Sequence, residues 1–434
     1  MNGTSVPKWI AKARPEIRRT TTSVPPRVIA GTSAGIDAFG VEVSTSDRCH
    51  IRVAYSADLR HEPPGLEGIA ALAADCLVEA LRSKFGIDEI AAEPGYWGPQ
   101  IVVNTSRREA KTVVESISSV MTNLDDLAFG GHAVEEALAR NRIRSQNIEL
   151  QIRAMVQDLT FPRAARARLP SAGPGNGLLA VSAQEVRDYS ATWLTMERAA
   201  LIVVGDDVGT LISSSERRYR RKSAPALGPR RLKAHEVIGG RNAFIDASES
   251  RPCRIVMSRE VPGSSSEVWQ ALKWIGAYLA SEIPGSLNTV LRADSGLTYG
   301  TSSQLAEFGC EASWMFTFTT PVDRVGEALA LAKRTIENAG AQLQKVETLR
   351  EVGRILEARS ARPATSNSAL AYEVAQSYFR NGPESIGSLP RLLAPPDSSD
   401  IAEAAARWLP PDQLNVLAIG ALEVLNAQLG ATSR

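Results

Sequence analysis

Between residues 69 and 80 the apolar positions Ile69, Leu72, Ala73, Cys76, Leu77 and Ala80 recur at intervals of three and four, the spacing of one helix face. The same period runs through TVVESISSVMTNL (112–124) and through a long segment from about 133 to 158. It returns at Val268, Ala271, Leu272, Ile275 and Leu279, and in RVGEALALAKRTIENA (324–339). Other stretches alternate, or are apolar throughout, and predict strands: QIVVNTS (100–106), LIVVG (201–205), CRIVMSRE (253–260) and ASWMFTFTT (312–320). FGVEVSTSDRCHIRVAYSA (39–57) predicts a hairpin with a Ser-Asp turn. Long helices mixed with such strands predict an α+β fold whose largely antiparallel sheets pack against helices.

Two stretches repeat each other. DYSATWLTMERAALIVVG (188–205) and EAAARWLPPDQLNVLAIG (403–420) each run from a helix-like segment ending in Trp-Leu, through a short polar turn, into an apolar strand ending in Gly. The step from Trp193 to Gly205 equals the step from Trp408 to Gly420. The placement, once near mid-chain and once near the end, predicts two homologous domains. Residues 213–233, SSSERRYRRKSAPALGPRRLK, are polar, basic and broken by Pro and Gly, as a linker is. The expected layout is a basic tail (1–27), a first domain (28–212), a linker (213–235) and a second domain (236–434).

Composition narrows the function classes. Lys and Arg number 49 against 48 Asp and Glu, so the whole-chain field offers no case for nucleic acid. No apolar run reaches the roughly 18 residues of a membrane span. Cys49, Cys76, Cys253 and Cys310 are scattered and form no CxxC, which suits a reducing compartment. The N-terminus has no apolar core of a secretory signal, and its Arg, Ser and Thr content has the flavour of an organelle transit peptide. The cytoplasm is the expected location, with the mitochondrial matrix as the alternative.

The most specific stretch is SLNTVLRADSGLTYGTSSQL (286–305). It resembles the Arg…Gly-Leu-x-Tyr segment of pitrilysin/insulinase-type (inverzincin) metallopeptidases, with Arg292, Gly296, Leu297 and Tyr299 at the matching places. LRHEPPGLEGIAALAADCL (59–77) is similar to the family's Glu-Pro-Pro-x-x-x-Gly approach to its zinc helix. VSAQEVRDYSATWLTMERAALIVVGDD (181–207) resembles the end of its first domain. In the family the Arg and Tyr hold the substrate backbone and support the tetrahedral intermediate. The chemistry suits them: a guanidinium is a fixed fork of donors, and a phenol donates to an oxygen gaining charge.

The family's zinc helix carries His-x-x-Glu-His, with a later Glu as third ligand. In this chain those five places hold Ala71, Leu72, Ala73, Ala74 and Asp75. Both imidazoles are absent, and Ala74 stands where the general base belongs. The histidines His50, His61, His132 and His235 never fall three to five apart, so no rearranged pair replaces them. Glu149 lies near the place of the third ligand. With Asp75 it would make at most a weak carboxylate site for a hard cation.

In two-subunit members of this family one chain holds zinc and lacks the Arg/Tyr pair, and the other has the pair and lacks the ligands. The resemblance therefore implies two homologous domains forming half of a clam-shell. It implies a non-catalytic, substrate-binding subunit of a heterodimer, with no metal of its own and zinc on a homologous catalytic partner. The expected substrate is a peptide, such as a leader peptide, bound by edge-strand pairing. Two alternatives stand beside it: a structural core-type scaffold subunit with no peptidase role, and a metal-free enzyme using Arg292, Tyr299 and Asp75.

Overall fold

The computed structural model describes residues 27–429, except 34–35, 44–46, 58–60, 67, 96, 123–130, 146–147, 162–180, 213–236, 238, 248–251, 264–265, 309–310, 361–365 and 383–395. The tail to residue 26, the expected linker 213–235, part of the Ser-Asp turn, Cys310 and His235 lie outside the described residues.

The α+β class expected from the pattern is the class observed. The first sheet holds β1 (Arg27–Ser33), β2 (Ile36–Glu42), β3 (Arg48–Tyr55), β4 (Ile90–Pro94), β5 (Pro99–Ser106) and β6 (Ala199–Gly205) in the order β1-β2-β6-β3-β5-β4. The second holds β7 (Asn242–Asp246), β8 (Pro252–Pro262), β9 (Thr301–Phe308), β10 (Glu311–Pro321) and β11 (Asn415–Gly420) in the order β7-β11-β8-β10-β9. Each sheet has a single parallel pair, β2 with β6 and β7 with β11; the other pairs are antiparallel.

The hairpin expected over 39–57 does not form. β2 and β3 are both neighbours of β6, which lies between them, parallel to β2 and antiparallel to β3. Every residue of β6 is buried, so this apolar strand takes the middle of the sheet although it arrives about 150 residues after β2.

The internal repeat has a structural counterpart. α5 (Ala183–Trp193) and α10 (Ser398–Trp408) both end at the repeated tryptophan. Each is followed by one 3₁₀ turn (Met196–Arg198 or Pro411–Gln413), and then by the fully buried β6 or β11. At the closing glycines the sheets are tightly packed. A Cβ on Gly205 would stand 2.7 Å from Cys49 Sγ, and one on Gly420 would stand 3.3 Å from Cys253 Cβ. Cys49 on β3 and Cys253 on β8 occupy equivalent places in the two sheets.

One face of the first sheet packs on α1 (Ile69–Phe85), α2 (Ala110–Thr122) and α5; one face of the second packs on α6 (Trp269–Leu279), α7 (Val325–Leu343) and α10. The opposite faces are apolar too and need cover. The two halves exchange helices to supply it. α9 (Asn367–Asn381), from the second half, lays Leu370, Ala371, Val374 and Tyr378 on Phe39, Ala54 and Ile202 of the first sheet. Its Tyr378 hydroxyl donates to Asp37, at 2.5 Å. α4 (Ile148–Thr160), from the first half, lays Ile152 and Val156 on Val256, Leu417 and Ile419 of the second sheet.

The long helix expected from about 133 to 158 is therefore two: α3 (Gly131–Ser145) and α4, with 146–147 outside the described residues. The two serve different cores. α3 packs on α1 of its own half, and α4 packs on the other half's sheet.

Candidate functional site

The helix at the place where the resemblance expects a zinc motif begins at Gly68, whose φ of 101° is left-handed. Its first N–H groups have no intrahelical acceptor. Glu62 supplies one: its buried carboxylate accepts from Gly68 N at 2.7 Å and from Ala70 N at 3.1 Å. A carboxylate there also meets the positive end of the helix dipole. Glu62 stands within the quoted Glu-Pro-Pro approach, where sequence reasoning gave it no role. Its signal was the Glu-Pro-Pro run just before a helical period.

On α1, Leu72, Ala73 and Ala74 are fully buried, Asp75 is 3% exposed, and Ala71 is partly exposed. One turn on, Glu79 holds Arg82 and the Arg140 of α3, each at 2.9 Å. Burial, with Asp75 beside it, pushes the Cys76 thiol up to about 12, so it stays protonated and unreactive. Glu149 stands exposed at the start of α4, paired with Arg254 of β8. Asp75 and Glu149 thus sit in different settings. Among the described residues no three His, Cys, Asp or Glu side chains group as a metal site. The residues at the expected ligand places do not fit zinc, because Ala71 has no donor atom and Asp75 and Glu149 bring only carboxylate oxygens.

Among the described side chains, two histidines have other partners. His50 is buried on β3, its Nδ1 at 2.8 Å from Asn104 Oδ1. His61 packs on the Trp193 ring, 4.1 Å between centroids.

The segment with Arg292 is built differently. After α6, Ser286 Oγ donates to Ser281 O and Thr289 Oγ1 to Ile283 O, fixing a turn. A short π-helical stretch follows, Thr289–Asp294, closed by Ser295 N–H on Val290 O. Such widened turns recur at functional sites. The chain then folds back over the end of this stretch. Gly296 takes φ 62°, which a side chain would strain. Leu297 N–H and Thr298 N–H both donate to Leu291 O, at 2.8 and 3.1 Å. Leu287, Leu291 and Leu297 are buried and anchor the turn.

On this fixed base the two expected side chains point into solvent. Tyr299 is 95% exposed. The Arg292 side chain is 54% exposed and, among the described residues, forms an ion pair with Glu282, itself 85% exposed, at 3.7 Å. An exposed pair of that length holds little energy, so the guanidinium stays available. Arg292 and Tyr299 are thus carried by one rigid turn leading into β9, an edge strand of the second sheet.

Residues 180–352, which include this turn, match the family described as the peptidase M16 inactive domain. No curated protein matches the chain by sequence. Among solved structures, the peptidase M16 inactive domain from Pseudomonas fluorescens is 13% identical, with a TM-score of 0.67 over 91% of this chain and 98% of that one. A protease from Helicobacter pylori is 14% identical, with a TM-score of 0.68 over 92% and 100%. A chain of complex III2 from Candida albicans is 13% identical, with a TM-score of 0.68 over 93% and 99%. At such identities these likenesses speak for the fold. No helix among the described residues is long and apolar enough to cross a membrane. The match over residues 180–352, to a domain whose description calls it inactive, agrees with the resemblance to the pitrilysin/insulinase type carried by residues 286–305.

Proposed function

We propose that this chain is the non-catalytic, substrate-binding subunit of a two-chain zinc peptidase. The observation that carries the reading is the exposure of Tyr299 on a turn held by backbone bonds to Leu291. A protein that needed this tyrosine only for packing would bury it. In the proposed complex Arg292 donates to the backbone carbonyls of a bound peptide, and Tyr299 donates to the carbonyl oxygen as it gains charge. Zinc and the general base belong to a homologous partner chain, since α1 has alanine at the expected places of the first ligand (Ala71) and of the base (Ala74). Binding through backbone groups gives little demand on side chains, which suits a peptide or leader-like segment.

The test is turnover of the reconstituted complex. Arg292→Ala and Tyr299→Phe are each expected to lower kcat about tenfold or more with assembly intact. Unchanged kcat in both variants rejects the role. A second reading, a scaffold subunit without peptidase function, draws support from the likeness to a chain of complex III2. It leaves the exposed Arg292 and Tyr299 without a task.

A further inference from the structure

The two sheets share one strand plan but not one edge. In the first, β1 pairs antiparallel along the whole of β2. In the second, β7 holds the place of β2, and among the described residues no strand lies beyond it. The hydrogen bonds to β11 fix which way its backbone points. Val416 N–H donates to Arg241 O, and Ala247 N–H donates to Gly420 O. With β7 parallel to β11 in the register Val416 to Asn242, residues 241, 243, 245 and 247 face β11. The N–H and C=O groups of Asn242, Phe244 and Asp246 then face outward, where no described strand pairs with them, a template for another strand.

The side chains on that template are self-complementary. Asn242, Phe244 and Asp246 share one face by strand alternation, while Ala243 and Ile245 turn to α4. Asp246 Oδ1 accepts from Leu422 N, which begins α11 (Leu422–Leu429). Leu422, at 37%, is one of four exposed large apolar side chains among the described residues. An antiparallel pairing of β7 with a second β7, centred on Phe244, sets Phe244 against Phe244 and Asn242 against Asp246 of the second copy. All three outward-facing residues then fall in hydrogen-bonded pairs, and no like charges meet. Such a contact closes on itself with two-fold symmetry.

We infer that the outer edge of β7 is a dimerisation surface, occupied by β7 of a second copy of this chain in antiparallel register about Phe244. The two second sheets join as one continuous sheet, with Phe244 and Leu422 of both copies along one face. β9 and the Arg292/Tyr299 turn stand at the opposite edge, so this contact leaves them free.

The test is the mass of the full-length chain by sedimentation over a dilution series, with amide exchange at Asn242, Phe244 and Asp246. A dimer whose three amides lose protection on dilution is expected. Asn242→Asp sets a like charge opposite Asp246 twice per dimer and is expected to weaken it roughly tenfold. Asn242→Lys sets an opposite charge there and is expected to hold or tighten it. Asn242 is exposed, so both variants are expected to keep the wild-type circular dichroism. A monomer at every concentration overturns the inference. So does a monomer with protected β7 amides, which means the chain covers its own edge, or a dimer indifferent to both substitutions.

Discussion

Glu149 of the first half forms an ion pair with Arg254 of the second, with 2.5 Å between Oε1 and Nη1. The carboxylate nearest the family's third-ligand place is thus spent on holding α4 to the second sheet.

One consequence concerns metal. Zinc is expected to leave the melting temperature of the isolated chain unchanged, and Asp75→Asn to make no difference to that result. Glu149→Gln is expected to cost no more than about 1 kcal/mol, because the pair is largely exposed. Thermal shift with and without zinc checks this. A zinc-dependent rise abolished by Glu149→Gln would contradict it.

The start of α1 depends on Glu62. Glu62→Ala leaves two helix N–H groups without their acceptor and is expected to cost about 1–2 kcal/mol. Glu62→Gln keeps one amide oxygen as acceptor and is expected to cost less. Denaturant midpoints of the two variants read the difference; equal midpoints with wild type would refute the cap.

The repeated glycines make a graded prediction. Gly205→Ala pushes a methyl against Cys49 Sγ and is expected to cost about 1–3 kcal/mol. Gly420→Ala meets Cys253 at a looser distance and is expected to cost less. Cys49→Ala in the Gly205→Ala background is expected to recover only part of the loss, because Cys49 Cα stays 3.3 Å from the new methyl. Equal costs at both glycines would count against the close approach.

A pH effect follows from His50. Burial holds its pKa below the ordinary value of 6.5; the bond to Asn104 and the charge of Glu93 oppose this, and Arg52 adds to it. The fold prefers the neutral ring, so its contribution is present above the unfolded value. It is lost as pH falls through that value toward the lower native one. His50→Gln is expected to narrow the drop in melting temperature between about pH 7.5 and about pH 5.5. An undiminished drop would refute the assignment.

The elements with a clean period were legible in the sequence, because apolar spacing alone fixes which face is buried. Partnership was less so. Adjacency suggested that β2 and β3 pair, but β6 comes between them from far along the chain. The unbroken period across 133–158 hid a change of core, since α3 and α4 keep the same spacing while facing different halves. At the site, the residue types of Arg292 and Tyr299 were readable. Their availability was not: it rests on Leu297 and Thr298 folding back onto Leu291, which leaves Leu297 buried and Tyr299 in water. The ion pair of Glu149 with Arg254 joins residues 105 apart, and no local pattern announces it.

The central claim is that this chain lends Arg292 and Tyr299 to zinc chemistry housed elsewhere. The most direct measurement is peptidase activity, with zinc content, of the chain alone and mixed with a homologous chain that carries His-x-x-Glu-His. The account predicts activity in the mixture only, with zinc bound to the partner. Zinc-dependent cleavage by this chain alone, or no cleavage by a mixture that demonstrably assembles, would contradict it.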